Sequence, residues 1–304
     1  MKQFVKNFNN LIEKTIFKVK NKTNNNFKIS TFNKYLITFI GLLFFYLFYL
    51  LTPLLYEKNW VQRNIESKLL SEFKINLSTS SDILYRILPA PHFLIKHSKI
   101  LVNEDEKKSI AEIKDFKVFV EQSNLFDKKK MNIKKLVISD ANFSLFSNDL
   151  KSFNDFRRKK FSHKKIRINN SNIFFKNNLG ETISIIKIDK TTAFFDDKKL
   201  LNFINLKGEV FNIPFNLHSQ YQNDPVVHEK FSLKSKFLKL YFTNKSTQIN
   251  KSISGENSIS FLKSKIHTKY NVKKKLILFK SNNSKIDNSQ INYTGELSIN
   301  PFDL

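Results

Sequence analysis

The sequence predicts a mainly β protein. A single N-terminal transmembrane helix and a short helix after it lead into an elongated, curled antiparallel β-sheet shaped like a groove. Three observations predict this. Tyr35–Tyr56 (YLITFIGLLFFYLFYLLTPLLY) runs for 22 positions without a charged residue. From about residue 75 the apolar period changes from helical to alternating. Past about residue 80 no long amphipathic helix is available to cover the strands, so their apolar face must close into a barrel, pair with a second sheet or line an open groove.

A helix over Tyr35–Tyr56 reaches roughly 33 Å at ~1.5 Å per residue, enough to cross the hydrocarbon core of a bilayer. Pro53 stands near its far end, where a missing backbone donor is tolerated. The 34 residues before it hold eight lysines (Lys2, Lys6, Lys14, Lys18, Lys20, Lys22, Lys28, Lys34) against one acid, Glu13. Lys and Arg accumulate on cytoplasmic flanks, so the N-terminus is expected inside and the bulk of the chain outside. The long arm, the long apolar run and the missing small-x-small site argue against a cleaved signal peptide. The chain thus divides into a basic cytoplasmic arm (1–34), a transmembrane helix (35–56) and an outer β-domain (57–304).

Within the arm, Phe4, Val5, Phe8, Leu11, Ile12, Ile16 and Val19 share one helical face and Lys2, Lys6, Lys14 and Lys20 the other. Residues 2–20 therefore read as an amphipathic helix in the plane of the inner leaflet. After the span, Val61 (or Trp60), Ile65, Leu69 and Phe73 recur every four residues, which predicts a helix leaving the membrane. Trp60 stands where an interfacial aromatic belt is expected.

The clearest strand is Leu262–Val272, with Leu262, Ser264, Ile266, Thr268, Tyr270 and Val272 on one face and Lys263, Lys265, His267, Lys269 and Asn271 on the other. Phe231–Phe237 alternates likewise, with Phe231, Leu233 and Phe237 opposite Ser232, Lys234 and Lys236. Two internal similarities suggest repeated β-hairpin units. KKLVISDANFSLFSND (134–149) matches KKIRINNSNIFFKNNL (164–179) at an offset of 30, and INLKGEVFNIPFNL (204–217) matches INYTGELSINPFDL (291–304) at an offset of 87.

The formal charge of +26 would ordinarily suggest nucleic acid. Lysines are instead spread along the chain without aromatic stacking platforms, amid the Lys, Asn, Ile and Phe excess of an AT-rich genome, so no nucleic-acid partner is expected. An anionic membrane surface suits this charge better. Absence of cysteine excludes disulfides, thiolate metal sites and cysteine nucleophiles. The five glycines are isolated, which leaves no phosphate-cradling loop. His92 and His97 lack partners at ligand spacing and read as solvated surface residues. Glu104, Asp105 and Glu106 read as a charged turn, and Asp196–Asp197 as a hairpin turn. No nucleophile–base–orienter set is visible. Neither enzyme activity, a metal nor a cofactor is expected.

From the basic arm and span the chain passes to RILPAPHFLIKHSKILV, with Pro89 and Pro91 between two strands. IAEIKDFKVFVEQSNLFDKKKMNIKKLVISDANFSLF follows, with its Asn124-Leu125-Phe126 turn. This order resembles the N-terminal region of the AsmA-like family of bacterial envelope proteins over about residues 35–220. Ala141 stands where the family often has proline, and Ser147-Asn148-Asp149 replaces its usual turn. The resemblance implies an inner-membrane-anchored periplasmic protein of envelope biogenesis. It would bind or conduct phospholipid between inner and outer membranes in an apolar β-groove. The alternative is a non-enzymatic scaffold or regulator of outer-membrane protein assembly with envelope protein partners. Phe231, Leu233, Phe237, Ile266, Tyr270 and Val272 are the expected lining of the groove, in contact with phospholipid acyl chains.

Overall fold

The computed structural model describes residues 30–79, 82–101, 109–149, 157–223, 226–250, 252–299 and 302–303. The amphipathic helix expected over 2–20 and the acidic turn at Glu104–Glu106 lie outside them. Contacts within the chain divide it into two units, 1–49 and 50–304.

The first unit holds most of helix α1 (Thr31–Leu51), whose Leu, Phe and Tyr side chains are exposed along nearly its whole length. With the 3₁₀ turn Thr52–Leu55 that follows, the helix is long and apolar enough to span a membrane.

In the second unit, α2 (Lys58–Lys68) runs into a π-helical turn at Leu69–Phe73 that ends on Lys74 in the left-handed region. Val61, Ile65, Leu69 and Phe73 are buried, as their four-residue spacing requires.

All sixteen strands belong to one sheet. Its first part comprises β1 (Leu77–Ser78), β2 (Ile83–Arg86), β3 (His92–Leu101), β4 (Ser109–Val120), β5 (Ile133–Phe146), β6 (Lys165–Lys176) and β7 (Thr182–Asp196). Next come β8 (Leu201–Val210), β9 (Ile213–Asn223), β10 (Val227–Ser235), β11 (Leu240–Ile249) and β12 (Ser252–Phe261). The last are β13 (Ser264–Lys273), β14 (Leu276–Ile286), β15 (Ser289–Ile299) and β16 (Phe302–Asp303). From β3 onward each strand pairs with the next in sequence, β1 and β2 both pair with β3, and the sheet is not closed. Of the three solutions open to one-faced strands, the described residues take the open single sheet rather than the barrel or sandwich.

One pair departs from the antiparallel expectation. β5 and β6 are parallel, with Lys135 opposite Lys165, Ile138 opposite Ile168 and Asn142 opposite Asn172. The 30-residue repeat is therefore two neighbouring parallel strands in register rather than two hairpins, and Asn172 donates across the pair to Asn142 at 3.1 Å. The 87-residue repeat does coincide with two hairpins, β8–β9 and β15–β16.

A line of irregularities crosses the first half of the sheet. His97, Asp140 and Asn170 have positive φ, and together with Lys114 and Asp189 they fall between matching ladder pairs on β3 to β7. In four of the five strands two buried residues flank this extra position three apart: Ile95 and Ser98, Ile113 and Phe116, Ile138 and Ala141, Ile188 and Thr191; in β6 Ser171 is buried and Ile168 half-buried. One inserted residue per strand keeps the same face buried on both sides and bends the strands at one level. Asp and Asn tolerate the left-handed conformation that two of these positions need. The buried Ser171 hydroxyl closes the gap between β5 and β6, accepting from Ala141 N at 3.1 Å and donating to Asn169 O at 2.7 Å. The line stops at β8, which carries no extra residue. There Gly208 is required, because a Cβ would stand 2.2 Å from the Lys187 carbonyl oxygen.

Fully buried side chains concentrate in α2, the turn after it and β3–β5, among them Ile65, Leu69, Phe93, Ile95, Phe116, Val118 and Leu136. Lys164 ties this region to Glu72 at 2.6 Å.

Candidate apolar binding face

Cross-strand register sorts the side chains of β8–β15 into an apolar and a polar face. One rib of the apolar face reads Leu206, Leu217, Leu233, Phe242, Ile259 and Ile266 across β8 to β13, six apolar residues in direct succession. A second reads Val227, Gln248, Ile253, Val272, Ile277 and Leu297 from β10 to β15. A third places Gly255, Tyr270, Phe279 and Gly295 side by side on β12 to β15. The two rings of this rib lie over the two glycines, where an added Cβ would come within 2.5 Å of Tyr270 and 2.7 Å of Phe279. Such rings cover backbone that glycine would leave bare.

Most of these side chains are half-buried although no described helix or second sheet lies over them. They shield one another across ~4.8 Å strand spacings. A polar rib interrupts them and bonds within the sheet: Asn244 Nδ2 donates to Asn257 Oδ1 at 2.5 Å and to Tyr270 Oη at 2.7 Å, and Thr268 bonds Tyr293 Oη.

One end of the apolar face is crossed by the connection from β5 to β6. Asn202, buried on the apolar face of β8, donates to the carbonyls of Arg157 (3.1 Å) and Lys159 (2.7 Å) and accepts from Phe161 N (2.9 Å). Arg157 pairs with Glu229 of β10 at 2.7 Å and donates to Ser219 of β9 at 3.3 Å. Lys160 sits 4.2 Å over the Phe195 ring, and Ser162 O accepts from Phe195 N at 2.8 Å. Residues 157–162 thus form a strap fastened across the ends of β7–β10.

Five of the six residues proposed from sequence lie on the apolar face: Phe231 and Leu233 on β10, Ile266, Tyr270 and Val272 on β13. Leu233 and Ile266 share a rib, with Phe242 and Ile259 between them. Phe237 does not lie there. β10 ends at Ser235, whose hydroxyl donates to Pro214 O at 2.8 Å, and Phe237 projects from the following turn with 71% of its surface exposed. Leu262 likewise belongs to the β12–β13 turn, with φ of 53°, and not to a strand. Alternation read from sequence runs through both turns because a turn of four residues (236–239) or of two (262–263) preserves parity. Leu206, Leu217, Phe242, Ile259, Ile277 and Phe279 were not proposed; each alternates within its own strand, which is the signal that finds them.

The polar face carries the cations. Lys99–Glu112 (3.0 Å) and Lys187–Glu209 (2.5 Å) pair across strands, and Lys135 and Lys165 lie 4.2 and 5.3 Å over Phe119 and Phe194. His92 is a correction to the sequence reading: it is buried, stacked on Phe119 at 4.8 Å, with Nδ1 2.7 Å from Ala90 O. Burial holds its pKa below the ordinary histidine range, and the cationic Lys117, Arg86 and Lys135 add to this. Asp196 forms the predicted turn, accepting from Lys198 N and Lys199 N at 3.0 and 3.2 Å. Among the described residues no His, Asp or Glu cluster could hold a metal ion. Neither a protein-family model nor a curated protein sequence matches the chain.

Proposed function

We propose that the apolar face of β8–β15 holds the acyl chains of phospholipid, in a protein anchored in the bacterial inner membrane by α1 with its sheet in the periplasm. The observation that carries this reading is the succession of apolar ribs over eight strands with no described layer above them. An acyl chain leaving a bilayer exposes roughly 0.8 kcal/mol per CH₂ to water, so a face covering ten methylenes offsets about 8 kcal/mol. No covalent step or cofactor is needed. The order of elements also supports membership of the AsmA-like family and a part in moving lipid between the two envelope membranes.

Photo-crosslinking in cells expressing the full chain tests this. A benzophenone side chain at Ile259 or Ile277 is expected to capture phospholipid, and one at Thr192 or Asn205, on the polar face, is not. Capture should fall several-fold when Ile266→Asp places a charge among the ribs. Equal capture from both faces, or none from Ile259 and Ile277, sinks the reading. The scaffold alternative draws on β15, which among the described residues pairs on its outer edge only through Ser298 and Ile299. Such an edge can accept a partner strand. Protein adducts in place of lipid at those positions favour it.

A further inference from the structure

A row of charges crosses the polar face, on the side away from the apolar ribs. Lys230, Lys245, Glu256, Lys269 and Lys280 stand directly opposite one another on β10, β11, β12, β13 and β14. Like charges opposite each other in a sheet are destabilising, and the row contains two such pairs, Lys230 with Lys245 and Lys269 with Lys280. Elsewhere on this face Lys99 and Lys187 meet Glu112 and Glu209, and Lys135 and Lys165 lie over Phe119 and Phe194. Here the single acid, Glu256, reaches Lys245 at 3.3 Å, an exposed contact of little strength. Among the described residues Lys230, Lys269 and Lys280 have no ion-pair partner.

Two adjoining hollows open along this row. One of about 540 Å³ includes Lys230, Lys245 and Lys269, and one of about 480 Å³ includes Lys245, Lys269 and Lys280. Neutral polar side chains fill out their walls, among them Gln220, Thr247, Ser254 and Asn282. Like-charged pairs alone do not mark a site, since Lys190 faces Lys207 with neither residue lining either of these two hollows. The combination of unpaired cations, hydrogen-bonding walls and ligand-sized space does.

We propose that the polar face of β10–β14 binds a ligand carrying two phosphate groups, one at the Lys230–Lys245 pair and one at the Lys269–Lys280 pair. The midpoints of the pairs are three strand spacings apart, roughly 14 Å at ~4.8 Å each. Glu256 between them leaves the two pairs as separate centres of positive charge, so the row favours an anion long enough to reach both over a compact one. Lysine ammonium groups bind phosphate as point charges, which suits phosphates of varied substitution. The site does not depend on lipid in the apolar ribs, and its test is independent of the crosslinking above.

The experiment is calorimetric titration of the full chain in a maltoside detergent, which carries no phosphate. Linear hexaphosphate can reach both pairs; pyrophosphate can reach only one. Hexaphosphate is expected to bind about tenfold or more tightly, the effect of adding charge-assisted hydrogen bonds at a second pair. Lys230→Gln with Lys245→Gln, and separately Lys269→Gln with Lys280→Gln, should each reduce hexaphosphate binding to the pyrophosphate level. Lys190→Gln with Lys207→Gln, equal in charge removed, should leave it unchanged. Dihexanoyl phosphatidic acid identifies the source. With its single phosphate it can occupy one pair at a time: tighter binding than pyrophosphate, weakened by either double substitution, supports a site for lipid head groups, and binding no tighter supports one for soluble phosphate esters. Equal binding of hexaphosphate and pyrophosphate overturns the proposal, as does an equal loss in the Lys190 and Lys207 variant. Unchanged β-sheet circular dichroism in each variant separates loss of the site from loss of the fold.

Discussion

Replacing Asn202 by alanine should release the strap that crosses the ends of β7–β10. This one buried amide makes three hydrogen bonds to the strap backbone, at 3.1, 2.7 and 2.9 Å. Each bond contributes about 1 kcal/mol net, so their joint loss costs about 3 kcal/mol against strap closure, roughly a hundredfold in its opening equilibrium. Alanine also leaves the Phe161 N–H without its side-chain acceptor. Hydrogen–deuterium exchange read at Phe161 is the direct assay, because its amide donates to Asn202 Oδ1 and exchanges only when the strap lifts. Its protection should fall by about two orders of magnitude, while the β4–β5 core amides keep theirs. Asn202→Asp retains the acceptor for Phe161 but sets carboxylate oxygens against two carbonyls, and should open the strap as well. Unchanged exchange at Phe161 in Asn202→Ala would refute the reasoning and shift the fastening to Arg157–Glu229.

Three further outcomes are expected. Ser171→Ala leaves the buried Ala141 N–H unpaired at the bend between β5 and β6, and should lower stability by about 1–3 kcal/mol in urea unfolding, with Ser171→Thr milder. Gly208→Ala sets a methyl against the Lys187 carbonyl rather than a movable side chain, and should cost about 1–3 kcal/mol in thermal unfolding, whereas Gly41→Ala, with open space around it, should not destabilise. Because the folded-state pKa of His92 is depressed, the unfolded chain binds the proton more readily. Stability should therefore be full above about pH 6.5 and fall as pH drops from there toward the folded-state pKa; His92→Phe, which keeps the stacking on Phe119, should flatten that slope.

Much of the fold was legible because it rests on periodicity. The four-residue spacing from Val61 to Phe73 specifies a one-sided helix and the alternation in β13 a one-faced strand, and both appear. The parallel pairing of β5 and β6 was not legible. Matching residues 30 apart indicate similar units, and similarity alone does not tell a neighbour in register from a distant copy. The bend was legible only in part: Ile138-Ser-Asp-Ala141 and Ile168-Asn-Asn-Ser171 carry it openly, yet a three-residue step inside alternating sequence reads as noise until neighbouring strands show the same step. Strand ends were missed at Phe237 and Leu262 for the reason that turns preserve parity. His92 was misread because its burial comes from Phe119, which stands next to it only across the ladder.

The extra residue shared by β3–β7 also bears on how such a protein can lengthen. A new strand inserted among these five would have to bring its own spare residue at the same height, or half of its apolar side chains would point the wrong way. The ladder shifts again past β12, at Lys265–Lys269 and at Ser281–Ser284, but from β8 to β12 no such mark has to be matched. Duplicated hairpins could therefore be spliced in there one after another without disturbing their neighbours, and tandem growth of the sheet is open in that stretch alone.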